Sequence, residues 1–126
     1  MINLDNHLFT KEHEWLIVDG DIATVGITDF AQGELGDIIF IELPSVEDSF
    51  VSEEVFGTIE AVKTVADLFM PIAGDIIEIN DQIEEHPDYV NNSPYEKGWI
   101  VKIKINNVNE LDNLLNNESY KKLVNG

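Results

Sequence analysis

The sequence contains neither cysteine nor arginine among its 126 residues. Without cysteine the chain cannot form disulfides or thiolate metal sites, and it has no cysteine nucleophile. Any sulfur redox chemistry would therefore have to reside in a group attached to the chain. The three histidines, His7, His13 and His86, lack the spacing of metal ligands, so no metal site is predicted.

Positive charge is scarce. Seven lysines face 25 aspartates and glutamates, which gives a formal net charge of −18 at pH 7. Such a field repels nucleic acid and anionic membranes, so neither is expected as a partner. It would attract a protein with a basic docking surface. The alternative is that the charge serves only solubility.

Long hydrophobic runs are also missing. No apolar stretch approaches the ~18 residues that span a bilayer. Residues 1–7 have neither the basic nor the apolar segment of a signal or transit peptide, so a cytoplasmic location is expected. The length suits one domain over residues 1–126, with a β body at about 8–105 and a helical tail at about 107–124.

Short β-prone runs separated by turn residues indicate a mainly β fold. Asp19 and Gly20 lie between two such runs, 14–18 and 21–26. They predict a hairpin, because both residues tolerate positive φ. Further strands are expected at 36–41, 50–51, 74–79 and 99–105.

Two helical regions are predicted. Thr28 can cap a short helix from Asp29 to Leu35, and Gly36 would end it. After residue 109, apolar residues recur at spacings of three and four, which indicates one or two short amphipathic helices packed on the β body. The segment 89–95 is predicted to be a loop.

Lys63 is predicted to lie at the tip of a hairpin, because β-prone arms flank it on both sides. No other lysine or arginine occurs between residues 12 and 96. Two stiff arms would hold the amine of Lys63 at a fixed position. A modifying enzyme could then recognise this lysine by its position rather than by a long sequence around it. The alternative is an ordinary surface lysine in a turn.

The stretch Glu60-Ala61-Val62-Lys63, followed by Asp67 and Pro71-Ile72-Ala73-Gly74, resembles the lipoylation site of the glycine cleavage system H-protein family. The resemblance covers about residues 8–124. It continues in order through Lys11-Glu12-His13-Glu14-Trp15, Gly26-Ile27-Thr28-Asp29-Phe30, Glu42-Leu43-Pro44, Asn91-Asn92-Ser93-Pro94-Tyr95 and Gly98-Trp99.

This resemblance implies a barrel-sandwich hybrid of the lipoyl and biotinyl carrier type, with a short internal helix and a C-terminal helical tail. It also implies lipoic acid in amide linkage on Lys63. The chain would then be a non-catalytic carrier. It would move an aminomethyl group from glycine decarboxylase (P-protein) to aminomethyltransferase (T-protein), and dihydrolipoamide dehydrogenase (L-protein) would reoxidise it. A lipoate ligase or lipoyl transferase would attach the cofactor.

The resemblance further implies that Glu14 and Asp67 hold the amine of the cargo when the arm folds back. Charge-assisted hydrogen bonds to an ammonium would suit that role. The alternative is that both residues are solvated surface acids. This alternative is favoured slightly more for Glu14 than for Asp67. Glu12 stands where relatives often have a small polar residue.

Several alternative functions are open. Val62 and Thr64 fit neither a biotin carrier, which usually has methionines beside the lysine, nor a 2-oxoacid dehydrogenase lipoyl domain, which usually has a preceding aspartate. One alternative is an H-like lipoyl donor or carrier for another pathway. Another is an unmodified acidic interaction module.

Overall fold

The computed structural model describes residues 3–125. Residues 1, 2 and 126 lie outside this range. The predicted domain spans all three, and the prediction that there is no targeting signal concerns the first two. Within residues 3–125 the chain forms, in order, β1 (His7–Phe9), β2 (Glu14–Asp19), β3 (Ile22–Ile27), α1 (Asp29–Leu35), β4 (Ile38–Glu42), β5 (Ser49–Phe50), β6 (Val55–Ala61), β7 (Val65–Phe69), β8 (Gly74–Ile79), α2 (Gln82–Glu85), α3 (Asp88–Asn92), β9 (Val101–Ile105), a 3₁₀ helix (Val108–Asn113) and α4 (Asn117–Asn125).

The strands of the described residues pair in two antiparallel sheets. One has the order β1-β2-β3-β9-β8-β5, and the other has the order β4-β6-β7. The predicted β2–β3 hairpin is confirmed, but its turn is one residue later than expected. Asp19 pairs with Ile22, so the loop consists of Gly20 and Asp21. Gly20 has φ +66°, which fits a two-residue loop with glycine first.

The core lies where the inner faces of the two sheets meet. Most of the buried strand residues form one cluster, which includes Val25, Ile41, Ile59, Leu68, Ile76 and Ile103. Burying each such side chain contributes about 1.5–3 kcal/mol to folding. This cluster gives the β6–β7 hairpin a rigid base.

Helix α1 has the bounds that the sequence predicts. The Thr28 hydroxyl accepts a hydrogen bond of 3.2 Å from the Ala31 N–H, which caps the first turn. At the other end, the Gly36 N–H donates to the Gln32 carbonyl, with Gly36 at φ +76°. Both terminal signals in the sequence therefore act as expected.

The prediction of a loop at 89–95 is wrong for its first part, which forms α3. This helix is only five residues long, so periodicity could not reveal it. Contacts with distant residues hold it in place. The Asn91 amide nitrogen donates to the Gly36 carbonyl at 2.9 Å, and its oxygen accepts from the Ile38 N–H at 3.0 Å. Asn91 thus joins α3 to the end of α1 and the start of β4.

The C-terminal helical tail is confirmed by the 3₁₀ helix and α4. Leu115, between them, forms an antiparallel bridge with Phe9, with both N···O distances at 2.8 Å. This bridge places Tyr120 of α4 in a second apolar cluster with Phe9 and Trp15. Within residues 3–125, no helix is long and apolar enough to cross a membrane.

Candidate functional site

Lys63 lies at the exposed tip of the β6–β7 hairpin, as the sequence predicts. Glu60 pairs with Val65, and the Ala61 N–H donates to the Thr64 carbonyl at 2.8 Å. The three residues 62–64 therefore make a tight connection. The ε-amine of Lys63 projects from a short turn whose two strands are fixed by the core.

The lysine hairpin rests on the segment that follows α1. The Val62 N–H donates a hydrogen bond of 3.0 Å to the Asp37 carbonyl. The Lys63 side chain passes directly over Gly36, where a Cβ atom would lie 3.4 Å from Lys63 Cε. Helix α1 thus ends under the lysine and supports the turn from one side.

A groove of about 370 Å³ lies beside the hairpin. Its walls come from β7, from α1 and from the turn between β1 and β2. Apolar side chains line it together with carboxylates and one histidine: Glu12, His13, Glu14, Ile27, Phe30, Ala31, Glu34, Leu35, Ile59, Ala66, Asp67 and Leu68. This lining suits a hydrocarbon chain that ends in a cationic amine.

Glu14 is buried in the wall of this groove, with only 2% of its surface exposed. The Thr10 hydroxyl donates a 2.6 Å hydrogen bond to its carboxylate. Burial raises the pKa of Glu14 to about 7, although hydrogen bonds from Thr10 and from the Phe69 backbone oppose the shift. The alternative of a solvated surface acid is therefore wrong for Glu14.

Asp67 belongs to the same groove but lies at its rim. Side chains alternate along β7, so Ala66 and Leu68 face the interior while Asp67 is exposed and pairs across the strand with Thr58. The structure thus brings both predicted carboxylates to one groove. It separates them by environment, one inside the wall and one at the edge.

Sequence and structure comparisons decide the family. A family model described as Glycine cleavage H-protein matches residues 7–126. The chain belongs to this family. The glycine cleavage system H protein of Staphylococcus carnosus is 52% identical over 116 residues, which cover 92% of each chain. That of Bacteroides fragilis is 52% identical over 120 residues and covers 95% of each chain.

A solved structure agrees with this membership of the H-protein family. The crystal structure of a glycine cleavage system H protein from Mycobacterium marinum matches with a TM-score of 0.88 at 34% identity. The match covers 99% of this chain and 100% of that one. The predicted fold class, a lipoyl-type barrel-sandwich hybrid with an internal helix and a helical tail, is confirmed. So is the predicted role of a non-catalytic carrier subunit of the H-protein family.

One carboxylate in the groove lining of this H-protein and one residue that supports the groove from outside were missed in the sequence. Glu34 adds a carboxylate from α1, and the helix face that carries Phe30 and Leu35 could have indicated it. Tyr120 contacts His13 and Thr28 from the far end of the chain. Helical spacing marks Tyr120 as inward-facing, but no local signal tells which β residues it meets.

Proposed function

We propose that this H-protein is the lipoyl carrier of the glycine cleavage system, with lipoate in amide linkage on Lys63. It moves the aminomethyl group from glycine decarboxylase to aminomethyltransferase, and dihydrolipoamide dehydrogenase restores its disulfide. The observation that carries this proposal is the position of Lys63. Its amine stands at a rigid, exposed tip next to a groove whose wall contains a buried carboxyl group.

The residues around Lys63 fit an attached lipoyl group. The exposed turn leaves the Lys63 amine accessible to a lipoate ligase or lipoyl transferase, and Gly36 leaves room for the lysine stem. When bound, the dithiolane supplies the sulfur redox couple that this cysteine-free chain lacks. Ile27, Phe30 and Leu35 would provide apolar contacts for its hydrocarbon chain.

Glu14 and Asp67 are the residues that hold the cargo amine. An ammonium that enters the groove meets the carboxylate of Glu14, and a charge-assisted hydrogen bond forms there. No lysine of residues 3–125 forms an ion pair with Glu14. Burial raises the pKa of Glu14 to about 7, and a cationic ligand in the groove would favour its charged form. Asp67 at the rim is more solvated and contributes less, because water competes for its oxygens.

The acidic surface serves the encounter with partner enzymes. Acylation of Lys63 removes one positive charge and makes the net charge of −18 one unit more negative. Partners with basic docking surfaces are attracted by this field, which raises the rate of encounter. Tethering keeps the cargo at a high effective concentration for each enzyme in turn. The location that fits this role is the cytoplasm.

Co-expression with a lipoate ligase tests the attachment site. The intact mass should rise by one lipoyl group, and peptide mapping should place it on Lys63. Lys63→Arg keeps the positive charge but should abolish both the modification and glycine–bicarbonate exchange with the partner enzymes. Lys97→Arg makes the same change at another exposed lysine and should leave both intact. Modification or exchange that persists in Lys63→Arg would refute the proposal.

A further inference from the structure

Tyr120 joins two walls of the groove through its hydroxyl group. The hydroxyl lies 2.8 Å from His13 Nδ1 and 2.7 Å from Thr28 Oγ1. Its ring stacks on Phe9, with ring centroids 4.6 Å apart. One side chain of α4 therefore makes specific polar contacts with two segments that lie far from it in the sequence.

The two partners of Tyr120 belong to different sides of the groove. Thr28 caps α1, the helix that brings Phe30 and Leu35 to the lining. His13 lies in the turn that carries Glu14. The two sides already meet at this point. The Thr28 N–H donates a hydrogen bond of 3.0 Å to the His13 carbonyl, and the ring centroids of His13 and Phe30 lie 4.7 Å apart.

His13 needs such contacts because its backbone is strained. It has φ +72°, in the left-handed region that a residue with a Cβ atom adopts at a cost of about 1–3 kcal/mol. A strained backbone persists only where neighbouring contacts hold it. Its own ring is held by Tyr120 and Phe30, and Glu14 follows it immediately in the chain.

The hydrogen-bond donors can be assigned along this network. The Thr28 hydroxyl accepts from the Ala31 N–H, so its own proton is free to be donated to the Tyr120 oxygen. The Tyr120 proton is then donated to His13 Nδ1. Burial lowers the pKa of His13, which favours the neutral ring whose nitrogen can accept. All three groups are thus satisfied in one orientation.

We propose that Tyr120 is a positioning residue for the groove. A backbone hydrogen bond from Thr28 to His13 joins the Glu14 turn to α1, and the Tyr120 hydroxyl fixes the His13 ring at this junction. The groove wall that contains His13 and Glu14 is thereby kept in place beside the arm. The functional part of this inference rests on the proposed lipoyl function. The geometric part concerns the unmodified chain and can be tested without the cofactor.

Tyr120→Phe tests the geometric part by amide hydrogen exchange of the unmodified protein. Phenylalanine keeps the stack on Phe9 and removes only the hydroxyl. Exchange at residues 10–14 and 28–32 should become roughly three- to tenfold faster, as the loss of one or two hydrogen bonds predicts. Exchange in α4, which loses the same contacts but keeps the stack on Phe9, should rise by no more than this. Tyr89→Phe, which removes a hydroxyl outside the groove lining, should have no such effect.

Faster exchange confined to α4 would overturn the inference, because Tyr120 would then only anchor its own helix. Unchanged exchange throughout would overturn it as well. Thr28→Ser, which keeps the hydroxyl, should behave like the wild type. Thr28→Val should reproduce the fast exchange at residues 10–14, since it removes the contact with Tyr120.

The lipoylated protein tests the functional part. Tyr120→Phe should be lipoylated at the wild-type rate, because the hairpin is intact, but should lose its aminomethyl cargo to water roughly three- to tenfold faster. Equal cargo loss in both proteins would contradict a positioning role. A wild-type chain that accepts no lipoyl group would instead refute the proposed function, and the exchange experiment would still decide the geometry.

Discussion

The Val62 N–H and the Asp37 carbonyl are joined by a hydrogen bond of 3.0 Å, and this bond ties the lysine turn to the chain that leaves α1. Asp37 follows Gly36, over which the Lys63 stem passes. The presentation of Lys63 therefore depends on how α1 ends. A lysine in an isolated hairpin would lack this lateral support.

Gly36→Ala should destabilise the protein by about 1–3 kcal/mol. Gly36 has φ +76° and ψ −156°, a conformation that residues with a Cβ atom adopt at that cost. The rate of lipoylation should fall as well, because the Asp37 carbonyl would shift. Urea denaturation and a ligase assay measure the two effects.

Gly33→Ala is the matched control for Gly36→Ala. Gly33 lies inside α1, and nothing lies within 4 Å of the place where its Cβ would be. The change should stabilise the protein by about 0.5–1 kcal/mol through a lower entropy of the unfolded chain. A loss of stability in Gly33→Ala similar to that in Gly36→Ala would contradict the role given to the helix end.

Glu14→Gln should change the pH dependence of stability. The pKa of Glu14 rises from 4.5 to about 7 on folding, so the native state binds the extra proton between these values. The contribution of Glu14 to the free energy of unfolding is highest below pH 4.5. It declines by of order 2–3 kcal/mol as the pH rises to 7. Glu14→Gln lacks this decline, so the wild type should lose stability relative to the variant over this range.

Urea denaturation at pH 5, 6, 7 and 8 measures this difference. Burial lowers the pKa of both His7 and His13, which destabilises the fold at acidic pH. Because both histidines occur in the wild type and the variant, their effect cancels in the difference. Glu118→Gln on exposed α4 is the control for removing one carboxylate. Parallel curves for the wild type and Glu14→Gln would argue against a buried carboxyl group.

Asn91→Ala should cost about 2–4 kcal/mol in the free energy of unfolding. It removes hydrogen bonds to the Gly36 carbonyl, to the Ile38 N–H and to the Gln32 side chain, each worth about 0.5–1.5 kcal/mol. Thermal denaturation measures the loss. The neighbouring Asn92 is exposed, so Asn92→Ala should stay within about 0.5 kcal/mol of the wild type. Equal effects at both positions would count against this bridge.

The sequence predicts those parts of the fold that local chemistry determines. The cap at Thr28, the glycine at the end of α1 and the β-prone arms of Lys63 all act within a few residues, and the structure agrees with them. The β2–β3 turn lies one residue later than predicted, because a two-residue loop can also place glycine first, with positive φ at Gly20 alone.

The groove could be predicted only in part. Family resemblance named Glu14 and Asp67. Alternation along β7 accounts for the exposure of Asp67, but no local pattern indicates that Glu14, which precedes the buried Trp15 in β2, is itself buried. Helix α3 and the Tyr120 contacts were missed for the same reason. They depend on residues separated by 53 to 107 positions, so only the assembled fold specifies them.

The contacts that close the lysine turn and those that close the groove differ greatly in sequence separation. Ala61 and Thr64 lie three residues apart, whereas Tyr120 reaches Thr28 across 92 residues and His13 across 107. Local contacts form early and survive partial unfolding, while distant ones require the complete fold. A chain in which only α4 has detached would therefore keep a lysine that a ligase can recognise after it has lost the Tyr120 contacts beside the groove. Lipoylation of Lys63 is therefore a weaker test of a native carrier than retention of the aminomethyl cargo.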